Sequence, residues 1–277
     1  MEKARASARH AREQTPAALL EAAVAADPGR PLVTFYDDAT AERVELSAAT
    51  LANWVAKTAG MLTDELGVEP GAPVRLALPM HWLQAVWALA VWRVGAVVDI
   101  GVQPVEALPG GLLVWGTDSS SAQGRGSAAG VCDAVSGAGD RETVAVSLAP
   151  LGAPFPPGSL PAGVLDFARQ VPMHPDRFDG PRPTAQDPAV RADGREWTGA
   201  EAVAYARDLS ATWGLGPGGR LLAGDELHAV PGLLAATLVP LCAGGSVVLV
   251  RHATQAATVT AAARAESERV TAYATSD

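Results

Sequence analysis

Apolar positions along this chain change period in a set order, and that order occurs twice. In "PLVTFYDDATAERVELS" (31–47) two alternating runs flank a polar turn, which predicts a hairpin ending at Ser47. Ser47 is then placed to cap a helix. Leu51, Trp54, Val55, Thr58, Leu62 and Leu66 follow at helical spacing and make one apolar face. Gly67 ends that helix and "EPGAP" turns the chain. "VRLALP" reads as a strand, "HWLQAVWALAVWRVG" as a largely buried helix, and "AVVDI" as a second strand.

The order returns after residue 187. "PAVRADGREWT" predicts a shorter hairpin with Asp193-Gly194 at its tip. Thr198 and Glu201 have the spacing of a capping box, and Ala202, Tyr205, Ala206, Leu209 and Trp213 share one helix face. Gly214 closes this helix, "GPGG" turns, "RLLAG" is a strand, "HAVPGLLAATLVPLCAGG" an apolar helix and "SVVLV" the last strand. From cap to glycine the first helix (47 to 67) is four residues longer than the second (198 to 214). Four residues are about one helical turn, so the apolar face keeps its phase. The glycines of "GLGPGG" follow a helix and precede a strand, the reverse of the order in a dinucleotide-binding fingerprint. Both Gly-rich turns therefore read as helix-to-strand connections. Each unit is expected to be a right-handed parallel crossover. The fold class expected is α/β, with two pseudo-repeated subdomains and mainly parallel sheets sandwiched by helices. The expected division is a disordered tail at 1–14, a first subdomain at 15–115, a Gly/Ser/Pro-rich connection with a short strand and helix at 116–187, and a second subdomain at 188–277.

Composition narrows the function classes. The 277 residues are 48% apolar and 18% charged, against about a quarter charged in an average chain, which favours a compact core over disorder. A net charge of −9 leaves no basic face for sequence-independent binding of nucleic acid. Lys3 and Lys57 are the two lysines; the rest of the positive charge is arginine, in keeping with a GC-rich bacterial genome. Cys132 and Cys242 are far apart, without a CxxC pair, so neither a disulfide framework nor a zinc site is expected. The first residues carry charge but no apolar segment of a secretory signal. "LQAVWALAVWRVGAVVDI" is interrupted by Arg93 and Gly95 and ends β-branched, so it reads as helix then strand and not as a membrane span. A cytoplasmic location is expected. Of seven tryptophans, those at 54, 82, 87, 92 and 213 fall on or beside apolar helix faces and read as core. The alternative for Trp82, Trp87 and Trp92 is a helix left partly exposed for a partner. "GRGSAAG" lacks the Lys-Ser/Thr of a phosphate loop, and no G-x-S-x-G elbow occurs for a Ser–His–Asp hydrolase.

Three stretches carry a family resemblance. "TPAALLEAAVAADPGRPLV" (15–33) looks like the opening helix and first strand of adenylate-forming enzymes, which include acyl-CoA synthetases, luciferases and peptide-synthetase adenylation domains. "LSAATLANWVAKTAGMLTDELGVEPGAPVRLALPMHWLQAVWALAVWRVGAVVDI" (46–100) is similar to the first subdomain of that family. "GLGPGGRLLAGDELHAVPGLLAATLVPLCAGGSVVLV" (214–250), with "ESERVTAYATS" (266–276), resembles the start of its second. More narrowly, the chain resembles short actinobacterial proteins that look like truncated members of this AMP-binding superfamily.

The resemblance implies a Ser/Thr/Gly-rich loop ending in Pro-Lys-Gly that cradles ATP phosphates before the second unit's helix. The corresponding stretch, "DPAVRADGREWTGAEAVAYA", holds no Gly-rich run and no lysine. The family's magnesium glutamate, ribose aspartate and lid lysine would lie beyond residue 277, so a truncated member is expected. His228 in "DELHAVPG" matches a family position lining the acyl or pantetheine pocket, while His81, at nearly the same place in the first unit, makes a capping or packing role the plainer reading. Arg195 is the candidate phosphate contact, against a solvated turn arginine. Two functions stand. The first is a non-catalytic protein that binds a partner, a second copy or a small ligand, with no cofactor. The alternative is an acyl-activating component completed in trans, binding ATP or AMP through arginines such as Arg195 or Arg251.

Overall fold

The computed structural model describes residues 14–100, 111–117, 142–253 and 258–276. The expected tail up to residue 13, Cys132, and the Gly/Ser-rich stretch 118–141 lie outside the described residues. Helix α1 (Pro16–Ala26) opens the chain and is capped by Thr15, whose side chain accepts from the Ala18 N–H. The hairpin β1 (Pro31–Asp37) and β2 (Glu42–Ser47) follows. Ser47 caps α2 (Ala48–Gly60) as expected, accepting from the Thr50 N–H at 3.1 Å. The extra turn of this helix is not a straight continuation. Met61–Glu65 form a π turn in which the Leu66 N–H reaches the Met61 carbonyl, and Gly67 (φ +59) then ends the helix. Strand β3 (Pro73–Ala77), helix α3 (Trp82–Arg93) and strand β4 (Val97–Asp99) complete the first unit.

The middle of the chain supplies β5 (Leu112–Thr117), β6 (Thr143–Ser147), β7 (Val164–Asp166) and the short α4 (Phe167–Gln170). Its proline-rich loop covers the outer sheet face, where Phe155 packs with Leu113, Trp115 and Ala145. The second unit gives β8 (Pro188–Ala192), β9 (Arg195–Thr198), α5 (Gly199–Thr212) and β10 (Arg220–Gly224). The Thr198–Glu201 capping box is formed in full. The apolar run expected as one helix is two, α6 (Ala229–Ala236) and α7 (Leu238–Cys242), broken at Thr237. Pro240 explains the break: it has no N–H to give the Ala236 carbonyl, and its ring crowds that turn. β11 (Ser246–Arg251), α8 (Thr258–Ser267) and β12 (Ala272–Tyr273) end the described chain.

The strands form two sheets, ordered β7-β6-β5-β3-β4-β8-β9 and β12-β10-β11-β1-β2. All pairings are parallel except the hairpins β1–β2 and β8–β9. The blocks β5-β3-β4-β8-β9 and β12-β10-β11-β1-β2 match strand for strand, and each takes its hairpin from the other unit. β1 pairs with β11, and β8 pairs with β4. The chain is thus a mixed α/β structure with mostly parallel sheets flanked by helices. Helix α3 touches β3, β4 and also β1, tying the two sheets through one continuous core. Trp82, Trp87, Trp92 and Trp213 are buried in it, so none of the first three is left exposed for a partner. The Trp92 indole N–H also donates to the Ala189 carbonyl at 2.7 Å, pinning α3 to β8.

Each Gly-rich turn has the same task. In the first unit the Gly71 N–H reaches the Gly95 carbonyl at 2.8 Å and the Val97 N–H reaches Ala72 at 2.9 Å. In the second, Gly218 donates to Ala243 at 2.9 Å and Ser246 to Gly219 at 3.0 Å. These bonds set the start of each parallel pair. The backbones approach so closely that a Cβ at Gly245 would sit 2.2 Å from the Gly219 carbonyl oxygen. Gly245→Ala is therefore expected to lower stability by about 2–3 kcal/mol, as overpacking against unyielding backbone does. An unchanged urea midpoint would show that the turn shifts freely.

Candidate functional site

Parallel strands place their carboxyl ends along one edge of a sheet, and ligands of open α/β sheets bind where successive connections leave on opposite faces. In the five-stranded sheet that point lies between β10 and β11. After β10 the chain enters α6 on the core face, where Leu233 and Leu234 are buried. After β11 it enters α8 on the other face, where Arg264 lies 4.4 Å from the Tyr36 ring centroid and pairs with Asp38. Just beyond α8, Glu268 takes hydrogen bonds from Tyr36, Arg43 and Arg220, fastening that helix to the sheet.

Four elements bring charge to this edge. Asp37, at the end of β1, is 1% exposed, and its carboxylate accepts from His252 Nδ1 and from the Ala39 N–H at 2.9 and 2.8 Å. Arg251, at the end of β11, lies 3.6 Å from the same carboxylate. Burial pulls the Asp37 carboxyl up, but the hydrogen bonds and the charges of His252 and Arg251 outweigh it and leave it below its ordinary value. Glu42, on β2, is pushed the other way by burial first and by the Asp37 charge as well. One Glu42 oxygen accepts from the Leu151 N–H at 2.6 Å. His81, at the start of α3, is wholly buried, and its Nδ1 caps the helix by accepting from the Leu83 N–H at 3.1 Å. Burial, with help from Arg251, holds its imidazole neutral, down to a pKa of about 3. Neither His81 Nε2 nor the second Glu42 oxygen finds a hydrogen-bond partner among the described residues.

His252 is positioned with unusual firmness for a half-exposed side chain. Its backbone is left-handed (φ +56), its N–H is held by Asp225 at 2.9 Å and its Nδ1 by Asp37. Ala229, the first residue of α6, is left-handed too (φ +52). Strain of this kind persists where surrounding structure over-determines it, and it collects at binding sites. With Nδ1 engaged by Asp37, Nε2 is the ring atom left to face a ligand.

The candidate residues from the sequence sit apart. His228 occupies the cap position of α6 on this edge, exposed and making no capping bond, unlike His81 at the matching place. Arg195 lies far along the other sheet, on edge strand β9, stacked 3.6 Å over the Trp197 ring and 3.8 Å from Glu201. Trp197 in turn stacks on Tyr205. Arg251, named as a nucleotide-binding alternative, is 8% exposed and ion-paired with Asp37. Lys57 on α2 donates to the His174 carbonyl at 2.7 Å. Sequence reasoning missed Asp37, Glu42 and His252; the one local trace is a histidine that stops a β-branched run. Among the described residues no group of three or more His, Cys, Asp and Glu is arranged to hold a metal ion, and no helix is long and apolar enough to cross a membrane.

Comparison with known proteins places the fold and the family. No family model matches the chain. A solved acyl-CoA synthetase of Brucella canis superimposes with a TM-score of 0.70 at 17% identity, over 94% of this chain and 47% of that one. That likeness is one of fold, and this chain spans about half the length of that synthetase. A TIGR03089 family protein of Mycobacterium tuberculosis (strain ATCC 25618 / H37Rv) is 36% identical over 242 residues, 85% of this chain and 88% of that one. On identity and coverage of that order, the chain belongs to the TIGR03089 family.

Proposed function

We propose that this chain is a non-catalytic, cytoplasmic binding protein on an acyl-CoA-synthetase-like scaffold, which holds a small ligand or a protein partner. The observation that carries the reading is the hairpin β8–β9. The resemblance expects a phosphate-cradling loop there, and this stretch is a tight antiparallel pair whose Arg195 is engaged by Trp197 and Glu201. A cradle needs backbone N–H groups converging on an anion; a paired hairpin spends them on its neighbour strand. The matching strand order of the two sheets supports descent from a duplicated unit.

The alternative, acyl activation completed in trans by a second chain, is favoured by one feature. His228 stands exposed at the cap position of α6, on the sheet edge where Asp37 holds His252. Calorimetric titration with Mg-ATP, repeated with AMP, separates the two readings. Neither nucleotide is expected to give saturable heat. Binding tighter than about 0.1 mM, roughly −5.5 kcal/mol, would overturn the non-catalytic reading and put the trans-completed enzyme first.

A further inference from the structure

The two matching blocks of strands differ in charge at one row, and that row runs across the junction where a hairpin changes units. Arg75 of β3, Asp99 of β4, Arg191 of β8 and Glu196 of β9 are register partners in turn. Register partners in neighbouring strands share a sheet face, so the four make one row of alternating charge. It lies on the outer face, the one that carries Leu113. Arg75 reaches the Asp99 carboxylate at 3.2 Å, and Arg191 reaches Glu196 at 2.8 Å. Asp99, 1% exposed, thus has an arginine on the strand to either side.

The five-stranded sheet has the same row with only its last charge. The Val97 N–H bond to Ala72 and the Ser246 N–H bond to Gly219 start the two parallel pairs at equivalent places. Arg75 therefore matches Leu222 and Asp99 matches Val248; on the hairpins Arg191 matches Thr34 and Glu196 matches Glu45. Beside this row, Val190 faces Val98 just as Val33 faces Val247. Backbone pairing thus offers a hairpin two equivalent edges, β4 and β11. The outer-face side chains do not. On β11, Arg191 would stand against the fully buried Val248, and on β4 Thr34 would take the place of one arginine beside Asp99. Taking a partner from a buried charge is costly, whereas an apolar row needs no ion pairs.

We propose that this row of alternating charge selects the sheet on which the β8–β9 hairpin docks, sending it to β4 and leaving β11 to the β1–β2 hairpin. Attraction to Asp99 favours one edge, and setting Arg191 against Val248 penalises the other; specificity uses both. The selection acts during folding and depends on neither functional reading above.

The test gives the first sheet the row of the second, through Arg75→Leu, Asp99→Val and Arg191→Thr in one whole chain. Docking is read by disulfide trapping during refolding, in chains whose Cys132 and Cys242 are changed to serine, with bridges identified by mass spectrometry of the monomer fraction. A Val98→Cys/Val190→Cys pair closes when the hairpin lies on β4, and a Val190→Cys/Val247→Cys pair closes when it lies on β11, since neighbouring strands are within disulfide reach. With the native row, the 98–190 bridge is expected to exceed the 190–247 bridge at least about tenfold. With the apolar row, the two yields are expected to come within about threefold of each other. Should the triple variant fail to fold, Asp99→Asn removes the central charge at constant size and is expected to cut the preference about threefold. A preference for the 98–190 bridge that survives the apolar row, or survives Asp99→Asn undiminished, would overturn the proposal. Equal yields of the two bridges with the native row would overturn it as well.

Discussion

Trp87→Ala is expected to destabilise the protein by about 3–5 kcal/mol, a large part of the roughly 5–15 kcal/mol that a folded domain has in all. Trp87 is completely buried on α3, the helix that touches strands of both sheets, and its ring centroid is 5.0 Å from that of Phe167. Removing the indole opens a void in the one place where collapse would have to move two sheets at once. The urea midpoint should fall with an unchanged slope, since the surface exposed on unfolding stays the same. Trp87→Phe makes a useful contrast. The indole N–H has no partner among the described residues, so exchange for an apolar ring removes an unmet donor and should cost under about 1.5 kcal/mol. A Trp87→Ala loss below about 1 kcal/mol would mean that the layer repacks and that α3 is not the tie between the sheets.

The second large effect is a dependence of stability on pH set by His81. Its imidazole, ordinarily near 6.5, is held down to about 3 by burial and by Arg251. Below pH 6.5 the unfolded chain takes up a proton at this residue and the folded chain does not, so acid favours unfolding. The contribution is fully present above pH 6.5 and is lost at about 1.4 kcal/mol per pH unit as pH falls toward 3. His81→Asn keeps an acceptor for the Leu83 N–H and removes the titration. Asp37 and Glu268, both held low, and Glu42, held high, titrate in either protein and cancel in the comparison. Urea titrations from pH 7 to about pH 4 should therefore show the wild type losing roughly 3 kcal/mol more than His81→Asn across that interval. Parallel curves would mean that His81 is hydrated or protonated in the folded state. Loss of the ring's packing on Phe35, 4.3 Å away, lowers the variant at every pH and leaves the slope as the readout.

Local chemistry was legible wherever a few neighbouring residues settle it. Ser47, the Thr198–Glu201 box and the glycines at 67 and 214 mark helix ends because caps and left-handed turns involve only adjacent backbone. The buried tryptophans were legible from helical spacing alone. The π turn at 61–65 and the break at Thr237 were less so, since both depend on how a turn is closed and not on which face is apolar.

The site shows the limit of such reading. His81 and His228 look equivalent in sequence, each opening a helix after a strand. One is buried against Phe35 and caps its helix, while the other is exposed and caps nothing. Asp37 and His252 meet across 215 positions, a distance over which no pattern of apolar residues carries information. Arg195 drew notice from an expected loop, and only its neighbours Trp197 and Glu201 reveal a stacked edge-strand residue.

The sequence by itself determined the kinds of element, their order, their caps and which faces are apolar, because periodicity and terminal hydrogen bonding are properties of short stretches. Tertiary structure alone decided that each hairpin lies on the other unit's sheet and which carboxylate faces which imidazole. Those outcomes follow from pairing between distant strands and from burial, both of which exist only once the whole core has closed.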